Sequence, residues 1–137
     1  MSQVVSLRLQ ENQIERLRRL ARRLGRTPSE TSALLVEEAL REAEFGFITF
    51  RNSPAGRPAY VQGHSLAVWE VVSVGRSNGL DLVRTARHLK WPVHLVQAAL
   101  NYATAFPQEI EAALADNETL DFEALHRMLP QAQRFEV

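Results

Sequence analysis

Between Val4 and Leu9 the chain reads VVSLRL, so that Val5, Leu7 and Leu9 fall on one side and Val4, Ser6 and Arg8 on the other. That period of two predicts a short strand. From Glu11 the period changes: Ile14, Leu17, Leu20, Ala21 and Leu24 recur at steps of three and four, predicting a helix with one apolar stripe and arginine on its other faces. Gly25 stops it. A second helix is signalled by Thr27 as N-cap, Pro28 at the first helical position and Glu30 at the third, the pattern of a capping box. Leu34, Leu35, Val36, Ala39, Leu40 and Ala43 give it a broad apolar face, and Phe45 and Gly46 mark its end. A lone strand leaves a row of backbone donors and acceptors unpaired. The economical remedy is a two-fold homodimer in which two copies pair antiparallel, one face of the ribbon against the helices and the other outward.

The pattern shifts again at residue 47. FITF (47–50) and AYVQG (59–63) read as short strands, with two prolines and a glycine between Asn52 and Pro58 to turn the chain, so a small hairpin is expected. Helical spacing returns at Val68, Val71, Val72 and Gly75 and ends near Asn78 and Gly79. Leu80 to Leu89 and Val93 to Ala105 follow as two helices broken at Lys90, Trp91 and Pro92, the outline of a helix-turn-helix, with Val93, Val96, Leu100 and Tyr102 or Ala103 inward. A last helix is predicted from Pro107 to about Ala115, anchored by Ile110 and Leu114. Leu120, Phe122, Leu125, Met128 and Leu129 then recur at near-helical spacing in an acidic tail before Pro130. The fold class is mainly α in three parts: residues 1–45 as strand, helix, helix; 46–115 as a small helical domain with a hairpin; and 116–137 as an amphipathic tail.

Composition narrows the function classes. An apolar fraction of 45% over 137 residues is that of a globular protein. No apolar run approaches a membrane span and the first residues lack a signal-peptide layout, so a cytoplasmic protein with no membrane partner is expected. Cysteine is absent, which removes disulfides, thiolate metal sites and thiol nucleophiles. The formal net charge of zero hides an uneven layout. Residues 1–27 hold seven arginines against two glutamates; residues 28–45 hold one arginine against five glutamates. Residues 46–106 hold six cations against two acids, and 107–137 two against seven. Two basic segments result, each followed by an acidic one.

SLRL at 6–9, the arginine-rich first helix, the LGRTPSE junction at 24–30 and EEALRE at 37–42 together resemble the ribbon-helix-helix DNA-binding family, the class of Arc, MetJ and CopG. The resemblance implies a ribbon that enters the major groove with alternate strand residues toward the bases, here Val4, Ser6 and Arg8. Arg8 has the planar fork for guanine O6 and N7, and Ser6 can donate or accept at several base edges. It also implies a phosphate clamp at the start of the second helix, carried by Arg26, Thr27 and Ser29. RPAYVQGHSLAVWEVV at 57–72 and VQAALNYATAFPQEI at 96–110 resemble a second family, the helix-turn-helix VapB-type antitoxins encoded beside PIN-like ribonuclease toxins. His64 stands where that family more often has threonine, and Lys90 where many helix-turn-helices have glycine.

No enzymatic chemistry is expected. The four histidines, His64, His88, His94 and His126, are scattered at spacings that complete no metal set, and no glycine-rich phosphate cradle is present, so neither metal nor cofactor is expected. Arg84, Arg87, Lys90, His94, Gln97 and Asn101 form a candidate second surface for DNA or for a protein, or a solvated helix face. Leu120, Phe122, Leu125, Met128 and Leu129 form a candidate toxin-binding segment or a helix packed on its own domain. The expected function is a repressor of its own operon acting as antitoxin, with double-stranded operator DNA, a second copy, further dimers on DNA and a protein toxin as partners. The alternatives are a dimeric scaffold that does not bind DNA specifically and a stand-alone repressor with no toxin.

Overall fold

Capping chemistry sets the ends of the first two helices. The structure, a computed structural model, describes residues 2–54 and 56–130, with the side chains of residues 119–122 and 125 outside that set. Helix α1 (Glu11–Leu24) starts where the Gln10 N–H donates to Gln13 Oε1 at 2.8 Å. It ends at Gly25, whose φ of 65° lets the Arg26 N–H return to the Ala21 carbonyl at 3.0 Å. Helix α2 (Pro28–Glu44) starts on the expected Thr27: its Oγ1 accepts the Glu30 N–H at 3.1 Å and donates to Glu30 Oε1 at 3.2 Å. The Glu30 carboxylate therefore accepts a hydrogen bond from the cap's hydroxyl, where a usual capping box would have it accept the cap's backbone N–H.

The chain parts into two compact units, the first ending at Glu44 and the second beginning at Phe45. In the first unit α1 and α2 pack on each other, but only Ala21, Thr31 and Glu38 are buried among its described residues. Leu34 and Leu35 are half-buried, while Val36, Ala39, Leu40 and Ala43 of the same predicted apolar face are exposed. The run from Val4 to Leu9 is not a strand in the single chain. A strand exists through its pairing, and among the described residues the one ladder lies elsewhere.

That ladder is the predicted hairpin. Strands β1 (Ile48–Phe50) and β2 (Ala59–Val61) pair antiparallel, with Ile48 opposite Val61, Thr49 opposite Tyr60 and Phe50 opposite Ala59. Its turn closes where the Ser53 N–H donates to the Gly56 carbonyl at 2.7 Å. Helix α3 (Val68–Ser77) buries Val68, Val71, Val72 and Gly75, the face its spacing predicts. Helix α4 (Leu82–Leu89) is N-capped by Asp81, whose Oδ1 accepts the Arg84 N–H at 2.8 Å. It stops at Lys90, which adopts the left-handed conformation (φ 59°) in the place many such turns give to glycine. Helix α5 (Val93–Ala105) runs through the middle of the unit, packed against both strands and against α3, α4 and α6.

Around α5 lies one apolar core. Val61, Val68, Val71, Val96 and Tyr102 are fully buried, and Phe45, Phe50 and Phe106 close on the Tyr102 ring at centroid distances of 5.7, 6.2 and 4.7 Å. The Tyr102 hydroxyl donates to Glu109 Oε2 at 2.6 Å, so the ring is buried without stranding its polar end. Two expectations are corrected. Val93, expected inward, is exposed because the buried stripe of α5 runs through Leu95, Val96, Ala98, Ala99 and Tyr102. The last helix, expected to end near Ala115, is one element, α6 (Pro107–Met128), since neither proline nor glycine interrupts it before Pro130.

A charged contact joins α3 to α6. The Arg76 guanidinium donates to the Glu111 carboxylate, and that hydrogen bond holds Glu111 below the usual carboxylate range and raises Arg76. No helix among the described residues is long and apolar enough to cross a membrane. The two ends of α6 have unequal roles in stability. Ile110→Ala removes a buried anchor and should cost about 2–5 kcal/mol in urea unfolding, whereas Met128→Ala at an 81% exposed position should stay within about 0.5 kcal/mol of the parent.

Candidate nucleic-acid interface

In the first unit the predicted base-reading residues lie together on the surface. Val4, Ser6 and Arg8 are all exposed, and so are their alternates Val5 (80%) and Leu7 (69%), while Leu9 is less so at 41%. Exposing both sides of a β-patterned apolar run is unfavourable, at roughly 25 cal/mol per Å² of apolar surface left in water. Beside it an open groove of about 600 Å³ is lined by Leu7, Leu9, Leu17, Leu20, Leu35 and Val36, with Arg16, Arg19 and Arg23 among its polar lining. The apolar side of the run and the apolar sides of both helices therefore face one space.

Arginine dominates the charge of residues 2–27. Arg8, Arg16, Arg18, Arg19, Arg22, Arg23 and Arg26 are exposed, and none makes a side-chain hydrogen bond or ion pair among the described residues. At the N-terminus of α2, Pro28 has no N–H and the Glu30 N–H is held by Thr27. Ser29 is thus the first-turn residue whose amide remains open, and its side chain is exposed. Thr27 is exposed too, but its hydroxyl is committed to Glu30 in both directions. Of the three residues predicted to hold phosphate, Ser29 and Arg26 have open donors, and Thr27 serves the helix start.

In the second unit the structure brings together residues that the sequence leaves apart. His94, near the start of α5, meets the Phe47 ring edge-on at 5.1 Å. His64, just past β2, lies against Trp91 of the α4–α5 turn at 4.1 Å. Arg51 crosses the Tyr60 ring at 4.0 Å and donates to the His64 carbonyl. The hairpin is thereby fastened to the turn and to the first residues of α5. Further along α5, Gln97 Nε2 donates to Asn101 Oδ1 at 2.8 Å, and both side chains are exposed on the strip that His94 begins.

Arg84, Arg87 and Lys90 are exposed, the first two three residues apart on α4, but no contact among the described residues ties Arg84 or Arg87 to the hairpin group. Arg51 escaped sequence reasoning. Hairpin parity held the signal: Thr49 opposite Tyr60 puts Arg51, two residues on, diagonally across the same face.

In the tail, Met128 and Leu129 are exposed, and the side chains of Leu120, Phe122 and Leu125 lie outside the described residues. No group of three or more histidine, cysteine or acidic side chains that could hold a metal occurs among the described residues.

Because the Thr27 hydroxyl serves the helix start, Thr27→Ala should lower stability by about 0.5–2 kcal/mol in thermal or urea unfolding, and Thr27→Ser should restore most of it. No protein-family model, curated protein or solved structure matches this chain.

Proposed function

We propose that this chain is a sequence-specific DNA-binding repressor that works as a homodimer and serves as the antitoxin of a toxin–antitoxin pair, controlling its own operon and neutralising a PIN-like ribonuclease. The observation that carries the DNA reading is the exposed, period-two run Val4–Leu9 beside an open apolar groove, next to a first helix whose exposed arginines, Arg16, Arg18, Arg19, Arg22 and Arg23, make no side-chain hydrogen bond or ion pair among the described residues. A second copy would satisfy the backbone of the run by antiparallel pairing and would cover Leu7, Leu9 and Val36 together. The resulting ribbon would turn Ser6 and Arg8 toward base edges in the major groove, with Val4 set against a thymine methyl or against nothing. Ser29 and Arg26 would hold the flanking phosphates and fix the register.

The antitoxin part of the reading is supported by the resemblance of residues 57–110 and by the acidic, exposed end of α6. Glu118, Glu123, Met128 and Leu129 offer charge and apolar area of the kind that a basic partner would cover. The cytoplasm is the compartment this function requires.

A gel shift on the DNA upstream of the coding region, at micromolar dimer, tests the repressor. Retardation of that fragment is expected, and an unshifted fragment would leave a dimeric scaffold. Arg8→Ala should weaken binding to the shifted fragment by about 1–3 kcal/mol and relax base preference. Equal loss on specific and random duplexes would remove the base-reading role. Co-expression with the adjacent open reading frame should rescue growth and co-purify a complex; DNA binding without co-purification would mean a stand-alone repressor.

A further inference from the structure

Along α1, Arg16, Arg19 and Arg23 each stand one position before a leucine of the apolar stripe, Leu17, Leu20 and Leu24. Their steps of three and four put them on one side of the helix, as a ridge along the margin of that stripe. All three line the apolar groove, whereas Arg18 and Arg22 fall on another side of α1 and outside it. The three are exposed, and none makes a side-chain hydrogen bond or ion pair among the described residues. A groove with apolar side chains and a row of unpaired guanidiniums calls for an occupant that brings apolar area and negative charge together.

Helix α2 carries that combination on the side it leaves open. Val36, Leu40 and Ala43 recur at steps of four and three and are exposed, the first two at 51% each. Glu37 and Glu44 each follow one position after a member of that stripe, Val36 and Ala43, so both carboxylates lie along one margin of it. Glu44 is exposed and makes no side-chain hydrogen bond or ion pair among the described residues. Glu37 Oε1 accepts from Arg41 Nε at 2.8 Å, and with 53% of the side chain exposed its carboxylate has room for a second donor. The spacings also agree. Arg16 and Arg23 are seven residues apart, and so are Glu37 and Glu44, about 10.5 Å along a helix in each case.

We infer that Arg16, Arg19 and Arg23 form an ionic lock between two copies of this chain, closing on Glu37 and Glu44 of the second copy as its exposed α2 stripe enters the groove. The inference rests on the reading of the first unit as a homodimer, and it divides the arginines of α1 by task. The ridge selects the partner subunit, and Arg18 and Arg22, with Arg26 beyond the helix, are left for phosphate. Two-fold symmetry makes the contact twice in each dimer. Ion pairs at the margin of an apolar contact act more on the choice of partner than on affinity, because a subunit with the wrong charges meets repulsion there.

The test measures the dimer dissociation constant of the full-length chain by sedimentation equilibrium across a sodium chloride series. The parent dimer should weaken as salt screens the lock. Arg16→Glu/Arg19→Glu/Arg23→Glu and Glu37→Arg/Glu44→Arg should each weaken self-association by about tenfold to a hundredfold, since both contacts of each homodimer then set like charges together. Mixed one to one, the two variants should form a heterodimer close to the parent in affinity, because both of its contacts again pair opposite charges; this recovery also shows that each variant folds. Arg16→Gln/Arg19→Gln/Arg23→Gln should remove most of the salt dependence. Reversal variants that dimerise like the parent, or a mixture that recovers nothing, would refute the lock while leaving the dimer in place. A parent chain that sediments as a monomer at every concentration would take down the dimer reading and the lock together. If the glutamine variant keeps the parent's dimer constant and salt response but loses affinity for the duplex upstream of the coding region, the ridge is a phosphate contact and the inference is overturned.

Discussion

The first unit is shaped by a geometric limit: two helices have only one face each with which to cover the other. α1 and α2 use that face on Ala21, Thr31 and their neighbours, and still leave Val36 and Leu40 half in water, Val36 on the groove that Leu7 and Leu9 line. A segment with alternating character and no ladder compounds the problem, because its amides and carbonyls find no partner among the described residues of the unit. Such an excess of apolar and hydrogen-bonding capacity cannot be settled within roughly forty residues, where surface outweighs interior. The proposed dimer follows from this limit, and so does the placement of arginine, which occupies the positions not required for packing.

The second unit solves the same problem internally. α5 is surrounded by both strands and by α3, α4 and α6, so its valines, alanines and Tyr102 meet apolar atoms on nearly every side. That enclosure leaves a narrow polar strip, and the strip can be held rigidly because the core behind it is closed. The carboxylates nearest the core are put to structural use. Glu70 and Asp81 cap helices and Glu109 and Glu111 make cross-helix contacts, while Asp116, Glu118 and Glu123 stand exposed along α6.

Much of this was legible from residue order. The face Val68, Val71, Val72, Gly75 and the Thr27–Glu30 pairing depend on neighbours within one turn of helix, and local spacing reports such neighbours directly. The hairpin was legible for the same reason, through its turn residues. α5 is less legible. Alanines carry little hydrophobic signal, so residue spacing hides the stripe through Ala98 and Ala99 and points Val93 inward in their place. The end of α6 is obscured because polar Asp116 and Asn117 resemble a break, although nothing there obstructs the backbone. The candidate site was legible by halves. Alternation marked Ser6 and Arg8, but the meeting of His64 with Trp91 and of Phe47 with His94 joins residues 27 and 47 positions apart, which no periodicity reports.

Helix α6 has a consequence of another kind. At about 1.5 Å per residue its 22 residues reach about 33 Å, yet its core anchors, Ile110 and Leu114, stand in the first two turns. A free helix of the remaining length would be marginal in water, because forming the first turn is the costly step. Here that step is already taken by the anchored end, so each residue beyond Leu114 extends an existing helix and needs no new nucleus. A partner grasping the far end would meet a segment whose ordering is largely complete, and less of the contact energy would be lost to chain entropy.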